Sequence, residues 1–100
     1  MKTEVNYLYR DASNYKFRGS FIVEGAFSRA KIEKYLIDEE FFVPKAIGLP
    51  ALVPEIRNED DHDWHTFEEC VETTDGEPLL TARELIRRIK AAKARDWPVG

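Results

Sequence analysis

Cysteine is almost missing from this 100-residue chain. Cys70 stands alone, so no internal disulfide can form, and no Cys-x-x-Cys pair is present to hold zinc. That usage points to a reducing compartment and an expected cytoplasmic location. Glycine is sparse, and Gly19, Gly25, Gly48 and Gly76 stand apart from one another, which excludes a phosphate-cradling glycine loop. Ser13, Ser20 and Ser28 lack the setting of a nucleophile elbow, and Cys70 has carboxylates rather than histidines as its neighbours, so covalent hydrolysis has little support. A long apolar run is also lacking. The best stretch, "FFVPKAIGLPALVP", is broken by Lys45 and three prolines, whereas a membrane helix needs about 20 apolar residues. The opening "MKTEVNYLYR" lacks the apolar centre of a secretory signal.

What is present reads as one globular domain. Apolar residues make up 43% and charged residues 34%, enough for a single core and too varied for a low-complexity chain. The net charge of −4 is mild, but it is unevenly spread. Residues 55–77 carry ten acids against Arg57 alone; residues 81–95 carry six bases against Glu84. Such polarity either neutralises itself within one fold or steers a partner, including a second copy.

Periodicity gives the elements. In "EVNYLYR", Val5, Tyr7 and Tyr9 share one face, and in "YKFRGSFIVE" so do Tyr15, Phe17, Phe21 and Val23. That period of two, with "DASN" between, predicts a β-hairpin over 4–24, with Asn14 suited to the left-handed position of the turn. "FSRAKIEKYLIDEE" predicts a helix over 29–39, with Ser28 as cap and Phe27 and Ile32 as a hydrophobic staple. "FFVPKAIGLPALVPEI" is too rich in proline for a helix or central strand and reads as an apolar connection with one short strand at most. "WHTFEECVETT" resumes as a strand, with His65, Phe67 and Val71 on one face and Trp64, Thr66, Glu68 and Cys70 on the other. "LLTARELIRRIKAAKA" predicts a helix over 82–94: Thr81 and Glu84 form a capping box, Leu80 and Leu85 a staple, and Ala82, Leu85, Ile86 and Ile89 one stripe. Residues 95–100 read as a loose tail. The expected fold class is α+β, a small antiparallel sheet with two helices packed on one face.

Three stretches raise chemical questions. "NEDDHDWH" brings His62 and His65 within three positions of each other beside Asp60, Asp61 and Asp63. In a helix or suitable turn both imidazoles could face one metal, whereas in a strand they point apart. The blander alternative is a charged approach to a strand anchored by Trp64 and Phe67. The hairpin aromatics, interleaved with Arg10, Lys16 and Arg18, resemble base-stacking surfaces, but they are also the only material for the core face. The segment after Phe41 either packs as a lid or stays exposed for a partner.

"YLYRDASNYKF", "FFVPKAIGLP" and "DDHDWH" together resemble a family of small bacterial proteins with no assigned activity, over about residues 5–70. The resemblance implies a prokaryotic or mobile-element setting and assigns no catalytic or ligand residue. It leaves out the basic C-terminal helix.

The resulting expectation is a non-enzymatic interaction protein that contacts a protein partner through Phe42, Pro44, Ile47, Leu49, Asp61, His62 and Trp64. In a phage or plasmid setting its acidic surface suits inhibition of a host complex built around a basic groove. No cofactor, bound metal, membrane or direct nucleic-acid contact is expected, and self-association stays open. The alternative is a small metal-dependent hydrolase or nuclease built on Asp61, His62 and His65.

Overall fold

The computed structural model describes residues 1–10, 15–52 and 64–97. The predicted turn at 11–14 therefore lies outside the described residues, as do Asp60, Asp61, His62 and Asp63. Within them the fold is α+β. Strands β1 (Lys2–Arg10), β2 (Lys16–Glu24), β3 (Phe41–Phe42), β4 (His65–Thr73) and β5 (Pro78–Thr81) precede one helix, α1 (Ala82–Ala94). They form a single sheet in the order β3-β4-β1-β2-β5. Among the described residues no helix is long and apolar enough to cross a membrane.

The hairpin follows the predicted period. β1 and β2 pair antiparallel in one unbroken register from Lys2 opposite Glu24 to Arg10 opposite Lys16. Val5, Tyr7, Tyr9, Phe21 and Val23 are buried, while Tyr15 is exposed and Phe17 is only partly covered. Burying alternate side chains on one face is what fixes this register, since a slip of one residue would turn the whole set to solvent.

The sheet is mixed rather than purely antiparallel. β5, which local pattern does not reveal, runs parallel to β2, with Val23 opposite Leu80 and Glu24 opposite Thr81. The turn before β5 is closely packed: Gly76 has φ +91°, and a Cβ there would lie 2.8 Å from Ile22 Cγ1. Only glycine meets both demands.

A second departure concerns β4. Val5 faces Cys70 and Tyr7 faces Phe67, so a two-residue step in β1 lies opposite a three-residue step in β4. That bulge inverts the alternation. Cys70 turns inward against the core, and Val71, expected beside Phe67, is 44% exposed.

The helix expected over 29–39 is not formed. Its place is taken by 3-10 turns at Arg29–Lys31 and Glu33–Tyr35, and Ser28 makes no side-chain cap. The staple pair Phe27 and Ile32 is nevertheless buried, together with Leu36. Tertiary contacts explain the choice, because a helix this short has little stability of its own. Arg29 Nε donates to the Phe67 carbonyl at 3.1 Å, and its Nη2 donates to the Glu39 carbonyl at 2.7 Å. Asp38 and Glu39 then take left-handed φ values of 51° and 58°, reversing the chain into β3.

α1 covers the inner face of the sheet with Ala82, Leu85, Ile89 and Ala92, all buried. Thr81 Oγ1 accepts from the Glu84 N–H at 3.0 Å, the predicted half of the capping box. The Glu84 carboxylate turns instead to Arg87 and Arg88. Hydrogen bonds from those two guanidiniums hold its carboxyl down to about 2, against an ordinary 4.5. A carboxyl lowered on folding contributes stability above its unfolded value, lost as pH falls toward about 2. A carbon-13 titration of Glu84 should therefore show its midpoint near 2, and a midpoint of about 4 would mean that the arginine contacts do not persist in solution.

The chain end is not loose at Trp97. Trp97 is 4% exposed within the main core, and its Nε1 donates to the Tyr35 carbonyl at 2.7 Å. Residues 98–100 lie outside the described residues.

Candidate interaction face

Of the residues expected to form a contact surface, Phe42, Pro44, Ile47 and Leu49 are buried. This corrects the expectation: the segment packs as a lid, because its proline-spaced apolar side chains fill the inner face between β1 and α1. Phe42 stacks edge-on with Tyr7, Phe67 and His65 at centroid distances of 5.6, 5.1 and 6.1 Å. Asp61 and His62 lie outside the described residues. Trp64 alone of the set is both described and substantially exposed, at 38%.

His65 is fully buried, and its Nε2 accepts from the Leu52 N–H at 3.0 Å. An accepting Nε2 carries no proton, so the ring is neutral with its hydrogen on Nδ1. The side chain fastens the Leu49–Leu52 end of the lid to β4 and packs 4.9 Å from Tyr9, centroid to centroid. That nitrogen is committed to the fold. Among the described residues no three His, Cys, Asp or Glu side chains gather as a metal site. Burial pushes the Cys70 thiol up to about 11, with Glu69 adding to the rise and Arg29 opposing it. The carboxylate anticipated beside it is thus a lesser cause than burial, and the thiol stays protonated near neutral pH.

The remaining chemistry lies on the opposite, outer face of the sheet. Phe41 and Phe42 pair with Thr66 and His65 of β4, and successive strand residues point to opposite faces. Phe42 thus enters the core while Phe41 stacks on Trp64 at 5.7 Å. Leu8 lies opposite Thr66 in the neighbouring strand. These side chains line a concavity of about 440 Å³ together with Arg10, Glu40 and Glu68.

A second concavity, of about 450 Å³, adjoins it through Glu68 and is lined by Glu4, Asn6, Arg18, Glu69 and Val71 among others. Between the two, Arg18 Nη1 and Glu68 Oε1 form an ion pair at 3.0 Å. The Arg18 side chain is 65% exposed, so the pair adds little to stability and serves mainly to orient both groups. The result is an aromatic pair framed by Glu40 and Glu68, with Arg10 at its margin.

Only Trp64 of this face was expected. One signal for the rest was legible: Leu8 is an apolar residue on the polar face of β1. Arg18 is opposite Leu8 within the predicted hairpin, whereas Phe41 and Glu40 are brought in by a pairing that no local pattern announces.

Comparison with known protein families, curated proteins and solved structures gives no match.

Proposed function

We propose that this protein is a non-enzymatic interaction module that engages a protein partner through the outer face of its sheet, with Trp64 as the anchor. The observation that carries this reading is the Trp64–Phe41 stack, its tryptophan exposed and its phenylalanine half-buried, in a concavity flanked by Glu40 and Glu68. An aromatic face attracts cations, and Glu40 beside it reinforces that preference, Glu68 being already paired with Arg18. The partner should therefore insert an arginine or lysine, with its apolar stem lying along Trp64. A tryptophan that is partly buried before binding and fully covered afterwards is the side chain on which interfaces most often depend. Inhibition of a host complex that uses a basic groove belongs to the same proposal, since this face presents carboxylates to such a groove.

Replacing Trp64 by alanine should weaken partner binding by at least about 2 kcal/mol, roughly thirtyfold in Kd. The melting temperature should shift by no more than about the effect of 1 kcal/mol, a few degrees. Capture from the native cell with parent and variant proteins tests this, followed by mapping of the bound segment. Equal capture by Trp64→Ala, or a bound segment without basic residues, would overturn the reading.

A further inference from the structure

A separate groove lies between α1 and the turn at Pro44–Ile47, on the side of the molecule away from Trp64. Its walls are Arg87, Arg88 and Arg95 on one side and Ala46, Ile47 and Gly48 on the other, with Ala91 on the helix side; it is a shallow, open groove of about 440 Å³. Two of the guanidiniums are held in place by the same turn. Arg88 Nη1 donates to the Ile47 carbonyl at 3.0 Å, and Arg95 Nη2 donates to the Ala46 carbonyl at 3.2 Å. Gly48 makes room for this arrangement, because a Cβ there would come within 3.3 Å of Arg88 Nη1.

Charge is not balanced within the groove. Glu84 is shared by Arg87 and Arg88, and three arginines against that one carboxylate leave a net charge of +2. Among the described residues no ion pair links these arginines to the acids of β4 or of the turn before β5. The groove flanks the C-terminal half of α1, where the helix dipole does not favour anions, so the guanidiniums alone supply the positive field. Arg88 on α1 and Arg95 at its C-terminal cap lie seven residues apart, with Ala91 between them as a small floor. Each retains most of its N–H donors, and planar forks, that of Arg88 held by Glu84 and the Ile47 carbonyl and that of Arg95 by the Ala46 carbonyl, suit a tetrahedral oxyanion.

We propose that this groove binds a small phosphomonoester, its dianionic phosphate held between Arg88 and Arg95 with Arg87 at the rim and its organic part over Ala91 and Gly48. A singly charged carboxylate would leave one of the two positive charges unmatched. The volume lies within the range of small-ligand sites.

Calorimetry on the full chain with phenyl phosphate and inorganic phosphate, against chloride at matched ionic strength, tests the site. Phenyl phosphate should bind more tightly than inorganic phosphate, and its affinity should rise as pH passes the second phosphate ionisation at about 6. Arg95→Gln should weaken binding by about tenfold, the value of one charge-assisted contact. Lys93→Gln, which removes the same charge two residues earlier and outside the groove, should leave binding unchanged. Chloride matching the phosphate signal would overturn the proposal, as would equal losses in the two variants. Tighter binding of a hexaglutamate peptide than of phenyl phosphate would overturn it in favour of an acidic protein segment.

Discussion

Trp97→Ala is expected to cost about 3–5 kcal/mol, the range for removing a large aromatic from a packed core. In a domain of this size that lowers the melting temperature by at least about 12 °C and removes a large part of a total stability of roughly 5–15 kcal/mol. The size of the effect comes from two contributions. Trp97 packs within the core cluster that contains Ile32, Leu36 and Ala92, so its removal leaves a cavity between the 3-10 turns and the end of α1. Its Nε1 also satisfies the Tyr35 carbonyl, and its backbone N–H bonds the Ala92 carbonyl at 2.8 Å, closing the helix. Trp97→Phe separates the two, since it fills most of the volume but leaves Tyr35 without that donor; about 1–3 kcal/mol is expected. A Trp97→Ala variant melting within about 3 °C of the parent, less than 1 kcal/mol, would show that the end of the chain is not docked in solution.

That residue also marks where sequence reading stops. α1 was legible because its signals are local: Thr81 and Glu84 three apart, the Leu80 and Leu85 staple, and an apolar stripe. Trp97, two residues past its helix cap, carries no periodic signal, and its indole is fixed by the Tyr35 carbonyl, 62 positions away. The hairpin was legible for the same reason as α1, and β5 escaped for the same reason as Trp97, since its partner β2 is distant in the chain and parallel to it. The bulge in β4 is set by register against β1, so alternation within β4 alone assigned Val71 and Cys70 to the wrong faces. At the candidate site Trp64 could be named from composition. Its setting could not, because Leu8, Phe41 and Glu68 belong to three strands whose order is a property of the folded chain.

The proline-spaced segment supplies the other large effect. Phe42→Ala should destabilise the fold by about 3–5 kcal/mol, while Phe41→Ala, one residue earlier, should cost no more than about 1 kcal/mol. The contrast follows from alternation in β3. The Phe42 ring meets Tyr7, Phe67 and His65 with no exposed surface, so truncation empties a site walled by aromatic side chains that cannot collapse into it. Phe41 touches Trp64 on the outer face, where water can replace the lost ring. Partner binding should show the opposite order. Phe41→Ala removes the platform under Trp64 and should weaken capture several-fold in a protein that remains folded. Phe42→Ala should reduce capture only in proportion to the unfolded fraction, and lowering the temperature or adding a stabilising osmolyte should restore it. Measuring unfolding in urea and partner affinity on the same two variants distinguishes a lid from a docking segment. Equal destabilisation by both substitutions would mean that β3 does not present its two rings to opposite faces, and the outer aromatic pair would lose its structural basis.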